Sequence, residues 1–571
     1  MPKSNILGVS PVGFNTSSSL IVDGKCVFAV EEERMVREKR TRKFPFRGID
    51  AALSKADLSI SDIDTIAVSW NPAINLEAHS APQSSKPRYL GEIFYSVPSH
   101  LMTLQAQERE IVLSRQSIEF ADGEHLSIAY VNHHVAHAGC FFVSPFDEAA
   151  ILTVDAFGEK NCVTFSQGKG NKIERLWSQD FPQTLGSFYS SLTEFCGFRP
   201  QNDEWKLMGA SSYGDSKRFY KPLRDLFRLN EDTGFSLNLS VFNFHQFHRP
   251  GFCNTQLENH LGIPANGRDV PLSQTYYDLA AAAQTVTEEV YLHLLHQLHK
   301  HTGQKSVVIA GGVALNCVAN GKVIAETPFS NIFVPPVPDD SGGSIGAAYY
   351  LHCHVNGQDR EFVLENNYLG PAFPDEEIAA TLDKYKLTYE TLSDPSARAA
   401  DLIAEGNIIG WFQGRLEFGD RALGNRSILA DPRDPSMKEK VNDTIKYREP
   451  FRPFAPAILN QRVDDYFENA SPTPFMEKAF KIRPERRDEI PAVTHVDGTG
   501  RLQSVDEDNN PLFYRLINAF SNKTGIPVVL NTSFNLKGEP IVCTPEDALR
   551  TFFSCGLDAL IIGSFEVRKK K

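Results

Sequence analysis

The chain has 571 residues, of which 41% are hydrophobic and 23% are charged, with a formal net charge of −13 at pH 7. This length exceeds what one hydrophobic core supports, so we expect two or more domains, and the acidic balance excludes proteins that bind nucleic acid through a broad basic surface. No stretch approaches the roughly 20 apolar residues of a membrane span, and the first residues lack the apolar run of a signal peptide, so we expect a cytoplasmic protein without a membrane partner.

The first predicted elements are an apolar strand at residues 6–9 and a hairpin that turns at Asp23-Gly24. The pattern of residues 6–9 recurs at residues 151–154, and Gly13 recurs at the same offset as Gly158. Such self-similarity predicts a duplicated core whose two turns face each other across a cleft, which is the layout of the actin, sugar kinase and Hsp70 fold. A chance likeness between two β-hairpins is the alternative.

Residues 31–43 form a dense run of charged side chains that ends before a Phe-Pro pair. Most such runs are solvated surfaces, and we interpret most of this one in that way. Arg37 and Lys39 are the candidates to reach a phosphate or carbamoyl oxygen. A second charged stretch, residues 204–209, predicts a loop that holds charged groups near a cleft, with ordinary loop structure as the competing interpretation.

Residues 132–137, Asn-His-His-Val-Ala-His, indicate a metal site. On a helix His133 and His137 are four positions apart and share one face, close enough to bind one divalent metal. Asp155 at the end of a strand and the pair Asp339-Asp340 at a later turn offer carboxylates that would complete a mixed nitrogen and oxygen site. Hydrogen-bonded core histidines are the competing interpretation.

Residues 273–302 carry the clearest helical pattern, an apolar stripe that stops at Gly303. An apolar strand at residues 307–309 then runs into Gly311, Gly312 and, after a short turn, Asn316. Adjacent glycines let the backbone approach a ligand, and the following helix would present its amide groups to that ligand. A tight turn between strand and helix explains the same pattern.

The polar stretch 357–395 predicts a linker between a first domain, residues 1–356, and a second domain, residues 396–571. The second domain contains six arginines between residues 415 and 452, interleaved with glycine, proline and aromatic residues. Polyphosphate chemistry needs such convergent positive charge, whereas surface solvation explains only a few of these arginines. A strand at residues 528–530 opens into a polar turn that is able to cradle a phosphate.

Four long motifs carry a family resemblance: Gly-Arg-Leu-Glu-Phe-Gly-Asp-Arg-Ala-Leu-Gly-Asn-Arg-Ser at 414–427, Arg-Glu-Pro-Phe-Arg-Pro-Phe-Ala-Pro at 448–456, Thr-His-Val-Asp-Gly-Thr at 494–499 and Leu-Asn-Thr-Ser-Phe-Asn at 530–535. Through them the chain resembles the O-carbamoyltransferases, which include the nodulation-factor, cephalosporin and tobramycin enzymes. The resemblance implies an α/β protein with an N-terminal duplicated, actin-like transfer domain and a C-terminal domain similar to threonylcarbamoyl-AMP synthases of the YrdC type.

The resemblance also implies a two-step reaction. The C-terminal domain would make carbamoyl-AMP from carbamoyl phosphate and ATP, with Mg as a candidate companion of the ATP. The N-terminal domain would pass the carbamoyl group to a hydroxyl of a small-molecule natural product at a site holding Fe(II) or another divalent metal. The acceptor stays open among a sugar, an aminoglycoside, a cephem, a macrolactam and a guanidinium alkaloid, and a homodimer is a further expectation.

The site residues that the resemblance implies fall into three groups. The metal ligands map onto His133, His137, Asp155 and Asp340. The ATP and carbamoyl phosphate site maps onto Lys446, Arg421, Arg452, Arg501 and Ser533, with Arg415, Arg448, Asn531 and Asn535 in second rank. The motif positions of the transfer domain are Lys39, Glu204, Lys206 and Asn316, and His134 is our hypothetical general base.

The chain departs from the family pattern at two places. Phe14-Asn15 stands where many members have His-Asp, which removes acid or base help from that loop or marks a different acceptor. Asp420 stands where many members have proline, in a turn that keeps Arg421. Two other classes of function remain as alternatives: a small-molecule kinase of the actin-like superfamily, and an ATP-driven binding protein that forms no covalent product.

Overall fold

The structure is a computed structural model that describes residues 4–13, 15–71, 113–119, 125–246 and 251–569. Of the pair Phe14-Asn15, Phe14 lies outside the described residues. Within the described ranges no helix has the length and apolar character needed to cross a membrane.

The described residues contain both strands and helices, often in runs of two or three of one kind. The strands are β1 (Asn5–Ser10), β2 (Ser17–Val22), β3 (Lys25–Glu31), β4 (Thr65–Val68), β5 (Leu113–Glu119), β6 (His125–Val131), β7 (Glu148–Val154), β8 (Asn161–Lys169), β9 (Lys172–Asp180), β10 (Phe227–Leu229), β11 (Phe235–Leu237), β12 (Ser306–Ala310), β13 (Asn331–Phe333), β14 (Tyr389–Thr391), β15 (Ile409–Phe412), β16 (Arg426–Ala430), β17 (Ala455–Leu459), β18 (Ala479–Lys481), β19 (Thr499–Arg501), β20 (Gln503–Val505), β21 (Val528–Ser533), β22 (Ala559–Ile562) and β23 (Phe565–Arg568).

The α-helices follow the same chain order. They are α1 (Glu32–Val36), α2 (Phe46–Ala56), α3 (His133–Ala138), α4 (Leu185–Phe195), α5 (Glu204–Ser211), α6 (Lys217–Arg224), α7 (Thr255–Leu261), α8 (Gln274–Thr302), α9 (Cys317–Glu326), α10 (Gly343–Tyr349), α11 (Asp375–Lys384), α12 (Pro395–Ala404), α13 (Met437–Val441), α14 (Val463–Tyr466), α15 (Pro511–Thr524) and α16 (Pro545–Phe553).

The chain divides into two compact units. The first takes the residues up to 29 and residues 42–364, and the second takes residues 30–41 together with the chain from 365 onward. The continuous domain range predicted from the sequence did not separate residues 30–41 from the first domain. The range predicted as a linker, residues 357–395, contains α11 and β14.

The first unit contains two large sheets, and the strand order of the second, read in reverse, matches that of the first. One has the order β3-β2-β1-β4-β6-β5 and the other β13-β12-β7-β8-β9. In each sheet a central strand pairs antiparallel with the next strand of the chain and parallel with a later one: β1 with β2 and β4, and β7 with β8 and β12. Because β1 and β7 carry the echoed patterns, the predicted duplication and the mixed α/β class are confirmed.

Helices α3 and α10 lie close together in the first unit. A Cβ atom at Gly346 would come within 1.9 Å of the Ala136 carbonyl oxygen, so only glycine permits this approach of the two backbones. The predicted helix 273–302 is confirmed as α8, which ends at Thr302 and is followed by Gly303 with a φ of +62°. The predicted loop at 204–209 was wrong: these residues lie in α5, whose first turn is stabilised by the carboxylate of Glu204, an acceptor for the Gln201 N–H and the Ser190 hydroxyl.

The second unit is built on a sheet of order β14-β23-β22-β15-β16-β21-β17-β20. Both of its faces are buried, because successive residues of β15, Trp411 and Phe412, belong to two different hydrophobic clusters. Helices α12 and α15 cover one face, and α11, α13 and α16 contribute side chains to the cluster on the other. This three-layer arrangement leaves the polar loops at the strand ends to form a site.

Candidate functional site

Four predicted ligands converge in the first unit. Ligand atoms of His133, His137, Asp155 and Asp340 all lie within 4.8 Å of one another. The Nε2 atoms of the two histidines are 3.0 Å apart, His137 Nε2 is 3.0 Å from an Asp155 oxygen, and His133 Nε2 is 3.3 Å from an Asp340 oxygen. The arrangement therefore offers two imidazole nitrogens and two carboxylate oxygens around one point.

The histidines are presented by the short helix α3, as their spacing predicted. The side chain of Asn132 caps the helix by accepting the Val135 N–H at 3.1 Å. The carboxylate of Glu159 binds the same helix end: it accepts the His133 N–H at 3.0 Å, the Asn132 side-chain amide at 2.9 Å and the Asn71 N–H at 2.6 Å. Sequence reasoning missed Glu159, although an acid four positions after Asp155 in a glycine-containing turn was a usable signal.

The two aspartates are held through the backbone around them. Asp155 follows β7, and its carbonyl accepts the Thr184 hydroxyl at 3.0 Å. The Asp340 carbonyl accepts the Ser10 hydroxyl at 2.7 Å. Gly13 has a φ of +84°, and a Cβ there would lie 2.1 Å from an Asp340 carboxylate oxygen, so the turn after β1 touches this ligand. Asp155 thus lies in the turn after β7, and Asp340 contacts the turn after β1.

The charges of the cluster stabilise one another. Burial by itself would lower the pKa of His133, but the carboxylates of Asp340 and Asp155 prevail and raise it well above its ordinary value. Burial acts in the opposite direction on Asp155, yet its hydrogen bonds with His133 and His137 lower its pKa well below the usual range. Two histidines and carboxylates in one buried pocket form a donor set suited to a divalent transition metal, including non-haem Fe(II).

His134, the hypothetical base, points away from this group of ligand atoms. Its Nδ1 is 2.7 Å from the Thr153 hydroxyl, which is 2.6 Å from the Thr164 hydroxyl. Burial and the neighbouring His133 and His137 lower the pKa of His134 to about 3. The contact with Thr153 holds the His134 ring in place, and its role as a general base stays a prediction.

The other residues predicted for the transfer domain each contact different groups of the protein. Gly311 donates its N–H to the Pro338 carbonyl at 2.6 Å, and the backbone of Gly312 approaches the Asp155 carboxylate. Asn316 caps α9 and exchanges side-chain hydrogen bonds with Gln284.

Lys206 pairs with Asp203 at 3.1 Å, and its ammonium lies 5.4 Å from the centre of the Trp205 ring. Of the residues predicted for transfer outside the four ligands, Gly312 is the one whose described contacts reach the centre.

Lys39 belongs to the second unit, not to the unit that contains the metal ligands. Its ammonium donates to the Glu539 carbonyl at 3.5 Å. The side chain lies at the surface, but its ammonium is crowded, and desolvation together with the charge of Arg34 lowers the pKa of Lys39 to about 8. The sequence motif identified the residue but not the unit in which it lies.

Lys446 is the centre of the predicted adenylating site. The side chain is only 4% exposed, and its ammonium donates to the Asn535 side-chain oxygen at 2.8 Å, the Asn535 carbonyl at 3.1 Å and the Ser533 hydroxyl at 3.3 Å. Burial and the charges of Arg448, Arg452 and Lys39 hold the pKa of Lys446 well below its ordinary value. Lys446, Arg448, Arg452 and Lys39 therefore form one positively charged group, which we call the cation pocket.

One further arginine, Arg501, extends the cation pocket beside Arg448. Burial and the charges of Arg452 and Arg501 hold the pKa of Arg448 well below its usual range. The Arg448 guanidinium stacks 4.3 Å from the centre of the Phe454 ring and donates to the Asn442 side chain at 2.9 Å. Like charges held this close favour the binding of an anion with several negative oxygens.

Two arginines of the arginine-rich loop, Arg415 and Arg426, donate to backbone carbonyl groups. Arg415 donates to the carbonyls of Leu369 and Gly370, and Arg426, which is fully buried, donates to the Asn425 carbonyl at 3.1 Å and the Gly414 carbonyl at 3.2 Å. Two of the six arginines between 415 and 452 thus stabilise the loop itself.

Arg421 and Asn531 are two further residues that were predicted for the adenylating site. Arg421 follows Asp420 in that loop; burial would raise the pKa of Asp420, but the charges of Arg40 and Arg421 lower it. Asn531, on β21, donates its side-chain amide to the Ala422 carbonyl and to Gln503.

Comparison with known proteins gives matches over nearly the whole chain. The family model described as Carbamoyltransferase N-terminus matches residues 5–349, and the one described as Carbamoyltransferase C-terminus matches residues 400–569. The chain is 38% identical to Uncharacterized protein sll1178 of Synechocystis sp., over 99% of this chain and 97% of that protein. It is 35% identical to Nodulation protein NolNO of Sinorhizobium fredii, over 96% and 78%, and 37% identical to Nodulation protein U of Rhizobium tropici, over 91% and 89%.

Proposed function

Because this chain belongs to the carbamoyltransferase family and is a carbamoyltransferase, we propose that it carries out an ATP-dependent O-carbamoylation in two steps, one in each unit. The second unit forms carbamoyl-AMP from ATP and carbamoyl phosphate. The first unit transfers the carbamoyl group to a hydroxyl of a small molecule. The observation that supports this division most strongly is the convergence of His133, His137, Asp155 and Asp340 in the unit that lacks the cation pocket.

The cation pocket suits the adenylating step. Carbamoyl phosphate loses its phosphate to water, the resulting carbamate oxygen attacks the α-phosphorus of ATP, and pyrophosphate leaves. Lys446, Arg448, Arg452 and Arg501 provide positive charge for the phosphate oxygens as negative charge shifts to the leaving pyrophosphate. Ser533 and Asn535 hold the Lys446 ammonium in place, and Mg is the expected companion of ATP.

The histidine and aspartate cluster suits the transfer step. His133, His137, Asp155 and Asp340 would hold a divalent metal, Fe(II) on the family resemblance, which would supply Lewis acidity toward the carbamoyl oxygen. The Asp340 side chain is 27% exposed against 2% for His133, so the cluster is accessible from the side of Asp340. The acceptor hydroxyl oxygen attacks the carbamoyl carbon there, the bond from that carbon to the AMP oxygen breaks, AMP leaves, and the hydroxyl proton passes to solvent water.

Two measurements on the full chain test the proposal. Incubation with ATP and carbamoyl phosphate should release pyrophosphate only when both substrates are present. Mass spectrometry across a panel of hydroxylated sugars, aminoglycosides, cephems, macrolactams and guanidinium alkaloids should find one product that has gained a single carbamoyl group. Formation of ADP and a phosphorylated acceptor would instead establish a kinase, and nucleotide turnover without any modified acceptor would indicate a binding protein.

A further inference from the structure

The first unit contains a cavity of about 690 Å³ that the proposed reaction does not use. It is formed by the end of α4 and the loop that follows, by residues from the ranges 251–258 and 265–268, and by Asn243. None of the residues predicted for metal, nucleotide or carbamoyl binding lines it. Pockets that hold a small molecule measure roughly 300–1,000 Å³, so this cavity has the size of a ligand site.

The cavity and the histidine and aspartate cluster lie at opposite ends of α4. At the start of the helix, the hydroxyl of its N-cap residue Thr184 donates to the Asp155 carbonyl at 3.0 Å. Glu194 and Phe195, the last two residues of α4 with its 11 residues, line the cavity. A helix of that length rises about 16 Å. The cavity is therefore a site of its own and not an extension of the cluster.

Two carboxylates of the cavity wall are each fixed by one oxygen. Glu194 Oε2 accepts the Phe252 N–H at 2.5 Å and the Cys253 N–H at 3.2 Å. Glu258 Oε1 accepts the Ala265 N–H at 2.8 Å. The other oxygen of each carboxylate accepts no hydrogen bond from the described residues. Each side chain thus holds a neighbouring loop in place and keeps one oxygen open.

An amide side chain fixes a third part of the wall. The Asn266 side-chain nitrogen donates to the Cys196 carbonyl at 3.2 Å and to the Val270 carbonyl at 3.1 Å, which leaves its oxygen as the open polar atom. Gly197 has a φ of +87°, and a Cβ atom there would lie 2.5 Å from the Gly267 carbonyl oxygen. Glycine is therefore required where these two loops meet. The open oxygens consequently belong to a wall whose loops are held in one arrangement.

The charges of the wall favour a positively charged ligand. Glu194, Glu258 and Arg268 are the charged residues that line the cavity, so the balance is one negative charge. Arg268 is exposed and makes no hydrogen bond or ion pair within the part of the chain that the structure describes. A hydrogen bond from a cation to a carboxylate is roughly twice as strong as one between neutral groups. A ligand that brings donors and a positive charge fits these oxygens best.

We propose that this cavity binds a small hydroxylated amine, such as an amino sugar, whose ammonium and hydroxyl groups donate to the open oxygens of Glu194, Glu258 and Asn266. Phe198 also lines the cavity and offers apolar surface to the carbon skeleton of the ligand. The site is additional to the two-step reaction. It does not depend on that reaction, because binding needs neither ATP nor a metal.

Titration calorimetry on the full chain, without ATP or carbamoyl phosphate, tests the chemical class. Glucosamine, glucose and glucuronate share one ring and differ in charge, and at about pH 6 the amine is protonated while both glutamates are ionised. Glucosamine should bind about 10- to 100-fold more tightly than glucose, the range for a hydrogen bond to a charged group, and glucuronate should bind most weakly. Equal affinities for the three sugars, a preference for glucuronate, or no binding of glucosamine would overturn the inference.

Two variants with opposite expected effects assign the binding to this cavity. Glu258→Gln keeps an oxygen for the Ala265 N–H but loses the charge, so it should weaken glucosamine by at least about 10-fold and leave glucose nearly unchanged. Arg268→Gln removes a like charge and should strengthen glucosamine by about two- to fivefold. Glu326→Gln, at an exposed acid of α9, is the matched control and should bind as the wild type does.

The outcomes for the two variants are independent of each other. Because Arg268 is exposed and makes no contact of its own, Arg268→Gln keeps the fold, and its result stands even if Glu258→Gln fails to fold. Glucosamine affinity that is unchanged or weaker in Arg268→Gln, or unchanged in a folded Glu258→Gln, would place the binding elsewhere and overturn the inference. Pyrophosphate release is measured separately, so a failure of the proposed function leaves this test intact.

Discussion

The metal-ligand cluster of the first unit brings opposite charges together, whereas the cation pocket of the second unit brings like charges together. In the cluster, opposite charges pair, so the pKa of His133 is raised and that of Asp155 is lowered by the partners they touch. In the cation pocket, like charges are forced together, so the pKa values of Lys446 and Arg448 are held well below their usual ranges. The first arrangement is stable before a ligand arrives, and the second is relieved by an incoming anion. The comparison teaches that the two groups differ in the charge they accommodate, which agrees with the proposed division of a metal in the first unit and phosphate groups in the second.

Removing the central cation should produce the largest effect. Lys446→Met eliminates the ammonium that donates to Ser533 and Asn535 and that we propose binds the substrate phosphates. We expect pyrophosphate release to fall by at least about 100-fold, as when one preorganised charge-stabilising donor is lost. Steady-state assays with ATP and carbamoyl phosphate check this. Lys440→Met, at an exposed lysine of α13, is the control and should keep its rate. Normal pyrophosphate release in Lys446→Met would show that the cation pocket does not carry out the adenylating step.

The reciprocal change in the first unit should separate the two steps. His137→Ala removes one of the four converging nitrogen and oxygen ligands. We expect bound metal, measured by elemental analysis of purified protein, and transfer from supplied carbamoyl-AMP to be lost together, while pyrophosphate release persists. A chelator should reproduce this result in the wild type. His301→Ala, at a histidine of α8 that contacts the Asp232 carbonyl, is the control. Transfer that survives complete removal of metal would contradict the role assigned to the cluster.

A smaller effect is expected from the residue that sequence reasoning missed. Glu159→Gln turns a carboxylate that accepts three N–H groups into an amide that also donates, which disturbs the start of α3. Metal affinity should fall by about 10- to 100-fold, the usual range when a group that orients a metal ligand is changed. Titration with a divalent metal measures it. Glu174→Gln, an exposed acid of β9, should leave the affinity unchanged, and equal affinities in the two variants would remove Glu159 from the site.

The pH dependence of the second unit should show the smallest change. Since the pKa of Lys39 is about 8 in the folded protein, its ammonium loses its proton above that pH, and the KM for the phosphate substrate should rise there. Between about pH 8 and 10.5 the unfolded chain holds more protons than the folded one at this lysine, so the free energy of unfolding should increase slightly with pH. Loss of phosphate affinity is thus distinct from unfolding. A KM profile that is identical in Lys39→Met and the wild type would contradict this assignment.

Local sequence patterns predicted the elements whose contacts are close in the chain. The spacing of His133 and His137 defines one helix face, and the apolar stripe of α8 defines its buried side, because both depend only on helical periodicity. The likeness of β1 and β7 was also readable, since each is an apolar strand followed by a hairpin. Selecting Asp340 over Asp339 as a ligand needed the family resemblance.

Contacts between segments that are distant in the chain could not be predicted from local sequence patterns. The pattern of the arginine-rich loop gives no sign that Arg415 and Arg426 bind carbonyl groups while Arg448 lines a pocket, because the partners of a guanidinium are set by the folded backbone. The same holds for α5, which was predicted as a loop. Its first turn depends on Ser190, a residue of another helix.

By itself the sequence determined that this is a two-unit α/β carbamoyltransferase, because long motifs and strand patterns are local properties of the chain. Only the tertiary structure decided that four ligands meet at one point and that residues 30–41 belong with the second unit. The physical reason is that a side chain's charge environment comes from whichever segments pack beside it. Lys39 is an ordinary surface lysine in the sequence, and its neighbours Arg34 and Glu539 give it a different chemistry.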